Sequence, residues 1–323
     1  MRLSSLVQLI VLGMIWGASF LFQRITVPAI GAGMTAMLRI ALAVLVLGAL
    51  MALTRRHLYW RARWRDYVLI GLMNSGLPFL LFAFAAYSLP AGYMAVLNAT
   101  VPMFTVLIGW IGGPRPSISK LIGVVVGVLG VATLAQFGSV AMSWMTIAAF
   151  AAILLASVLY AYGAIAVRAR FASDDSVTVA CGTMAGTLLP LLPFAFFSVP
   201  AQMPTLNVSM ALLALGIVCT GLAYAMFYRL IREVGSERAV TVTFLVPVFA
   251  QIWGAVFLGE PITWASAMGC ALVLIAVALI FERVPGLRRR QPLLVNPLLG
   301  TNTSNCVAIE SLAIPTPNDS DVG

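Results

Sequence analysis

One arginine lies inside a run of sequence that otherwise carries no charge. Arg39 stands in the run GMTAMLRIALAVLVLGAL, which is long and apolar enough to cross a membrane. A charge at the centre of such a span costs about 2.5–3.5 kcal/mol, so it marks a candidate functional site. A guanidinium group binds carboxylate or phosphate through parallel hydrogen bonds, which makes Arg39 a candidate anchor for an anionic substrate group. Two structural alternatives remain: the side chain snorkels to the membrane surface, or it binds carbonyl groups freed at a proline.

Polar side chains in other apolar runs lie close to prolines. A proline loosens a helix because it donates no backbone hydrogen bond, and the carbonyl groups that it frees can face a cavity. A single polar side chain more often forms only an interhelical hydrogen bond, worth about 0.6 kcal/mol on average, so the set is a stronger prediction than any one member. The candidates are Asn74, Asn98, Thr243 and Gln251, beside the helix-kink prolines Pro78, Pro102 and Pro247.

Three aromatic residues complete the candidate substrate pathway. Trp16 and Tyr160 could stack on a planar substrate, and Tyr224 lies in a further apolar run. Aromatic rings near helix ends are more often anchors at the membrane surface. Trp16 and Tyr160 lie deep in their runs, so we include them with Tyr224 among the candidates.

Groups that perform catalysis inside a membrane are missing from the apolar runs. None of the ten acidic residues lies in the middle of a run, and the sole histidine, His57, lies in a basic segment. The four cysteines show no metal-ligand or redox spacing. An intramembrane enzyme needs a nucleophile with a base, or a metal cluster. The sequence therefore predicts neither an enzyme nor a cofactor or metal site, and it lacks the carboxylates of a proton relay.

The composition places these residues in an integral membrane protein. Of 323 residues, 62% are apolar and 9% are charged, whereas a soluble domain is about 25% charged. A helical span needs about 17–25 mainly apolar residues. Ten runs qualify and predict an all-α membrane protein with ten transmembrane helices, at about 6–22, 33–53, 67–89, 91–112, 117–136, 143–164, 176–198, 208–230, 236–258 and 262–281.

The basic residues indicate how these spans are oriented. With the N-terminus in the cytoplasm, 17 of the 19 basic residues fall on the cytoplasmic side, Arg24 falls outside and Arg39 falls within a span. Cytoplasmic loops carry an excess of Lys and Arg. We therefore expect a multi-pass protein of the cell (inner) membrane with both termini in the cytoplasm. The net charge of +9 is then a topology signal and predicts no nucleic-acid partner.

A motif recurs at a fixed distance along the chain. The pattern V-P-x-F-x4-G-x6-P begins at Val101 and again at Val246, 145 residues later, which maps spans one to five onto spans six to ten. Five is odd, so the two halves cross the membrane in opposite senses, as in the inverted repeats of secondary transporters. We expect a first five-helix repeat over 1–137 and a second over 138–284. A basic stop and a disordered cytoplasmic tail follow over 285–323.

The ordered set of motifs is similar to the EamA-type branch of the drug/metabolite transporter superfamily. Trp16-Gly17-Ala18-Ser19-Phe20 resembles its W-G-x-x-F opening, and Arg39, the two V-P-x-F helices and Phe257-Leu258-Gly259-Glu260-Pro261-Ile262-Thr263 resemble further signatures. The resemblance covers residues 1 to about 284. It implies a ten-helix carrier with a central cavity lined by spans one to four and six to nine. Span four ends in Pro114-Arg115-Pro116, so any role of the acidic residue rests on Glu260.

These features predict a secondary transporter that works by alternating access between the two repeats. The resemblance implies export of amino acids or other small polar metabolites. Two alternatives stay open: exchange or facilitated movement of sugars or nucleotide-type metabolites, and a passive channel. The expected partners are a small-molecule substrate and the lipid bilayer. Gly123 and Gly127 form a G-x-x-x-G pattern, for which packing within a monomer is favoured over a homodimer.

Overall fold

The computed structural model describes residues 3–111, 113, 115–137, 140–141, 143–198, 200, 203–234, 239 and 241–281. Within these ranges every regular element is helical and none is a strand. The predicted tail over 285–323 lies outside the described residues, as does Cys306. The other three cysteines, Cys181, Cys219 and Cys270, are buried and free.

Among the described residues, eight helical segments are long and apolar enough to cross a membrane. They are α1 (Leu3–Ile30), α2 (Ala32–Leu53), α3 to α4 (Trp60–Ala85), α5 to α6 (Ala91–Ile111), α7 (Ile118–Phe137), α8 (Trp144–Arg170), α9 (Ser176–Phe196) and α10 to α11 (Leu206–Val234). Two shorter apolar helices follow, α12 (Val242–Leu258) and α13 (Trp264–Ile280), of 17 residues each. Each of these helical segments overlaps one of the predicted runs.

Three of the long segments are interrupted. The first π segment, Leu72–Gly76, separates α3 (Trp60–Gly71) from α4 (Leu77–Ala85). The second π segment, Ala214–Leu222, separates α10 (Leu206–Leu213) from α11 (Ala223–Val234). A two-residue turn at Ala99 and Thr100 separates α5 (Ala91–Asn98) from α6 (Val101–Ile111). π turns within α-helices are frequent at functional sites, so the two π segments mark where a site is to be sought.

The first span is longer than the composition indicates. The predicted span ends at residue 22, but α1 continues to Ile30, and Arg24 therefore lies on the helix and not in an external loop. The charge of Arg24 is compensated on this helix, because its Nε lies 3.1 Å from a carboxylate oxygen of Glu260. Gly31, with a φ of 80°, then reverses the chain into α2. Pro90 directly precedes α5, which begins at Ala91.

Polar side chains cap several helices at their first turn. The Asp175 carboxylate accepts a hydrogen bond of 3.0 Å from the N–H of Thr178 and caps α9. The same carboxylate pairs with the guanidinium of Arg56. Burial alone would raise the pKa of Asp175, but the Thr178 hydrogen bonds and the Arg56 charge outweigh it and hold this pKa below its ordinary value. Asp175 therefore stabilises the fold in its charged form.

Helices that are distant in sequence pack against each other. The principal pairs are α1 with α12, α2 with α9, α4 with α8 and α7 with α13. Close approach depends on glycine: a Cβ added to Gly17 would lie 2.8 Å from the Cβ of Phe249 in α12. A Cβ added to Gly123 would lie 2.9 Å from the carbonyl oxygen of Ala276 in α13. Gly123 of the G-x-x-x-G pattern thus lies against α13 within the chain.

Candidate substrate site

Arg39 lies inside the helix bundle, in the second turn of α2. Its side chain is 7% exposed, so it does not snorkel to the membrane surface. Its Nε donates a hydrogen bond of 2.9 Å to the hydroxyl of Thr220, and its Cζ lies 3.8 Å from the ring centroid of Phe79. No ion pair in the described part of the chain includes Arg39. The site thus holds a buried cation without an anionic partner among these residues.

The second π segment positions the partner of Arg39. The Thr220 hydroxyl donates a hydrogen bond of 2.8 Å to the carbonyl of Leu215, five residues earlier, and accepts the hydrogen bond from Arg39. Gly216 allows this contact, because an added Cβ would lie 2.6 Å from the Cβ of Leu42 and 3.1 Å from the carbonyl oxygen of Arg39. The wide turn and the close approach of Gly216 to α2 together bring the Thr220 hydroxyl to the guanidinium.

Predicted aromatic residues from three other helices converge on this guanidinium. Trp16 meets Tyr224 edge to face, with ring centroids 6.2 Å apart. Tyr160 and Tyr224 pack against the same buried cluster as Phe79, and both lie close enough to Arg39 to interact with its charge. The structure therefore joins Trp16, Arg39, Tyr160 and Tyr224 in one place. It has apolar faces, phenolic hydroxyls and one positive charge, a combination suited to a small molecule that carries a carboxylate.

The predicted asparagines lie at the breaks in their spans. Asn74 belongs to the first π segment and packs against Gly163 of α8, where an added Cβ would lie 3.1 Å from the Asn74 Cβ. Asn98 ends α5, and its buried Oδ1 has no hydrogen-bond partner among the described residues. The same holds for the hydroxyls of Ser75 and Thr35, each 1% exposed. Buried polar atoms without partners are rare in folded proteins and indicate places for water or ligand.

The last two polar candidates lie elsewhere. Gln251, in α12, faces α5: an added Cβ on Gly92 would lie 3.4 Å from the Gln251 Cβ. Thr243 is half-buried in the first turn of α12. The described contacts do not bring either residue to Arg39.

The prolines differ in what they do to their helices. Pro78 is the second residue of α4, just after the first π segment, and Pro102 is the second residue of α6, just after the break between α5 and α6. Pro247 lies within α12, which continues through it without a break. Each proline stands four residues after a predicted polar residue, which is Asn74, Asn98 or Thr243. Because proline has no backbone N–H, it cannot donate the helical hydrogen bond to the backbone carbonyl of that residue.

Two residues of the site were not predicted, Phe79 and Thr220. A signal for them exists: Gly71 to Phe79 and Gly216 to Tyr224 share the pattern G-x3-[ST]-G-L-x-[FY], again 145 residues apart. This pattern covers the first π segment and much of the second. Within the described residues no group of three His, Cys, Asp or Glu side chains could hold a metal ion.

Comparisons with known proteins identify the family. The family model described as "EamA-like transporter family" matches residues 3–136 and again residues 147–282. The chain belongs to this family. It is a multi-pass membrane transporter and not an enzyme, and it works in a lipid bilayer on a small-molecule substrate.

Three relatives and one solved structure illustrate the likeness of this EamA-family chain. An uncharacterized transporter of Archaeoglobus fulgidus is 22% identical over 83% of the chain and 95% of the relative. The uncharacterized inner membrane transporter YedA of Escherichia coli is 24% identical, over 84% and 89%. A probable terminal-alkyne amino-acid exporter of Streptantibioticus cattleyicolor is 31% identical, over 90% and 97%. A crystal structure with 19% identity superposes with a TM-score of 0.61, over 86% and 96%, and shows the shared fold.

Proposed function

We propose that this EamA-family protein is an exporter of amino acids or related small carboxylate metabolites. The observation that carries the proposal is the buried Arg39 guanidinium, which has no carboxylate partner in the described part of the chain. Its Nε is bonded to Thr220, which leaves the two terminal nitrogens to form a fork for a carboxylate. The 31% identical relative named as a probable amino-acid exporter supports this substrate class.

The aromatic side chains supply the rest of the proposed recognition. Trp16, Tyr160 and Tyr224 bind the organic part of the substrate, and Asn74 and Asn98 line the pathway that leads to it. Thr243 and Gln251 line the pathway further along α12. Phe79 supports Arg39 from one side, so that the fork keeps one orientation. A substrate with a carboxylate and a compact side chain fits these groups better than a neutral sugar does.

The carrier has ten spans in two inverted five-helix repeats, over 1–137 and 138–284. The 17-residue helices α12 and α13 extend about 25 Å each at 1.5 Å per residue, which suffices for the last two spans. The two separate stretches that match the family model support this division. So do the π segments, because adding 145 to Leu72–Gly76 gives a range inside the second π segment.

The packing of the helices also supports the repeat. Span one packs on span nine through α1 and α12, and span six packs on span four through α8, α5 and α6. Span two packs on the second π segment of span eight, and span seven packs on the first π segment of span three. Exchanging the two halves converts each contact into its counterpart, as a two-fold relation requires. Such halves exchange conformations and give alternating access.

The orientation follows from the arginines, with both termini in the cytoplasm. The contacts support this orientation, because residues that the alternating spans place on the same side of the membrane are in contact. Arg24 reaches Ala86 and Glu260, from the turns after spans three and nine. Arg56 reaches Asp175, from the loops after spans two and six. The protein acts as a monomer, with the Gly123 face used for internal packing.

Transport in proteoliposomes tests the substrate proposal. We expect saturable counterflow of an amino acid or a related carboxylate. Transport of its methyl ester, which lacks the carboxylate, should be the same in the wild type and in the Arg39 variants. Arg39→Lys keeps the charge but loses the fork, so carboxylate transport falls more than protein abundance does, and Arg39→Gln lowers it further. Arg229→Gln, at an exposed arginine of α11, is the matched control and leaves transport unchanged.

Two results would count against this function. Equal loss of transport for acid and ester, in step with the amount of folded protein, would make Arg39 a structural residue. Flux without saturation or counterflow would make the protein a channel. A panel of labelled sugars and nucleotide-type metabolites, run in the same vesicles, tests the remaining alternative of exchange or facilitated movement.

A further inference from the structure

Ion pairs join the two proposed halves at both ends of the bundle. Among the described residues five ion pairs occur, and four of them link a residue before 137 to one after 138: Arg24–Glu260, Arg56–Asp175, Arg63–Asp174 and Asp66–Arg170. The fifth, Arg229–Glu233, lies within α11. Positions 66 and 86 on the α3–α4 segment mark the two ends, and the 20 residues between them correspond to about 30 Å of helix.

At the end that contains residue 86, Glu260 ties several elements together; we name this group the Arg24 cluster. Its Oε1 lies 3.1 Å from Arg24 Nε, and its Oε2 accepts 2.8 Å from the N–H of Ala91, the first residue of α5. Arg24 Nη1 also donates 2.7 Å to the carbonyl of Ala86. Gly259, with a φ of 65°, turns the chain so that Glu260 reaches these partners. The side chains of Arg24 and Glu260 are 29% and 12% exposed.

The opposite end is held by the remaining three pairs, which we name the Asp174 cluster. Arg63 lies 3.0 Å from Asp174 and donates 2.7 Å to the carbonyl of Arg170. Arg170 in turn lies 3.2 Å from Asp66, with its side chain 65% exposed. The carboxylates of these three pairs are between 20% and 43% exposed, against 12% for Glu260, so solvent and salt screen each of them more than the pair at the other end.

We propose that the two clusters are the outer and inner gates of the transport cycle, with the Arg24 cluster as the tighter, outer gate. The inference rests on the proposed carrier function. Alternating access requires the halves to separate at one end while they stay together at the other, so each cluster breaks when its own end opens. Glu260 of the Arg24 cluster is the least exposed of the four carboxylates, and this difference favours the state that opens to the cytoplasm. That state is the one in which an exporter loads its substrate.

The sequence of the repeat explains why the inner end has no copy of the Arg24–Glu260 pair. The position that matches Glu260 at the offset of 145 is Arg115, and the weaker offset of 144 matches Arg24 with Arg168. The repeat thus matches the outer cation and anion with two arginines, which cannot form an ion pair with each other. The repeat therefore carries an attractive pair at the outer end alone, and the inner end is held by other residues, those of the Asp174 cluster.

Cys219 reports on both gates. It is 1% exposed, precedes Thr220 and lies near Arg39, so a thiol reagent reaches it only when one end is open. Cys219 is kept as the sole cysteine by Cys181→Ala, Cys270→Ala and Cys306→Ala. A membrane-impermeant maleimide is added to right-side-out or inside-out vesicles, and counterflow is measured in the same preparations.

Glu260→Gln breaks the outer ion pair without a change of shape. We expect labelling of Cys219 from outside to rise at least about fivefold and labelling from inside to fall, as a shift of population between two states requires. Asp174→Asn, the matched variant at the other end, shifts labelling in the opposite direction. A protein that is merely destabilised labels faster from both sides.

Unchanged labelling in Glu260→Gln, or an equal rise from both sides, would overturn the gate inference while wild-type counterflow upholds the carrier. If the proposed carrier function is wrong, the result is different: the protein with Cys219 as its sole cysteine and no gate substitution is labelled rapidly from both sides and shows no counterflow. Slow labelling of the parent with intact counterflow, followed by opposite shifts in the two variants, supports both gates.

Discussion

Replacing Thr220 by valine tests how the π segment holds the Arg39 guanidinium. Valine has nearly the shape of threonine, so the change removes the hydroxyl and leaves no large cavity. Two groups lose their partner: the Arg39 Nε, 2.9 Å away, and the Leu215 carbonyl, 2.8 Å away. A hydrogen bond to a charged donor contributes about 1.5–3 kcal/mol and a neutral one about 0.5–1.5 kcal/mol, so the expected loss in free energy of unfolding is about 2–4 kcal/mol.

Thr187→Val is the matched control for this substitution. Thr187 is also fully buried, but its hydroxyl bonds only to the Met184 carbonyl of its own helix, so the expected loss is about 1 kcal/mol or less. The apparent Tm of purified protein in detergent gives the comparison, with a shift of roughly 2–4 °C for each kcal/mol in a chain of this size. Thr220→Ser retains the hydroxyl and restores most of the loss. Equal shifts in the two valine variants would refute the reasoning.

Three further predictions concern other parts of the fold. Gly130→Leu should reduce the yield of folded protein severalfold, because a Cβ added there already lies 3.0 Å from the Gly269 carbonyl oxygen. Gly109→Leu is the control, because a Cβ added at Gly109 meets nothing within 4 Å. Equal yields of the two variants would contradict this prediction. The fold lowers the pKa of Asp175 below its value in the unfolded chain. The contribution of this carboxylate to the stability of the fold is therefore complete above the unfolded-state pKa and is lost as the pH falls through the folded-state pKa. The Tm difference between wild type and Asp175→Asn should therefore stay constant from about pH 7 to 5 and shrink below about pH 4. Cysteines at Tyr87 and Arg61 should react with an impermeant reagent from opposite sides of the membrane, and reaction of both from outside would contradict the orientation.

The positions of the helices could be predicted well from hydropathy alone, because lipid imposes one simple rule on every span. The prediction failed at the ends, where that rule competes with specific pairing. Arg24 would end a span on composition, but Glu260, 236 residues later, compensates its charge and the helix continues. Hydropathy averages a window of sequence and contains no information about such a distant partner.

The site could be predicted in part for the same reason. Arg39, Trp16 and the two tyrosines were found because charges and aromatic rings are conspicuous within apolar runs. Thr220 was missed because a threonine in a span is ordinary, and its importance comes from a π turn that no residue type specifies. Gln251 looked equivalent to the asparagines in sequence, yet the rotation of α12 turns it toward Gly92 of α5.

The pairing of α1 with α12 has a consequence for how the protein is made. The first helix enters the membrane early, but the helix that covers its glycine face and the carboxylate that neutralises Arg24 are synthesised more than 200 residues later. At about 5–20 residues per second, the ribosome needs roughly 10–50 seconds to supply them. During that interval Arg24, at the outer end of α1, has no carboxylate partner, and α1 has no α12 to cover its glycine face.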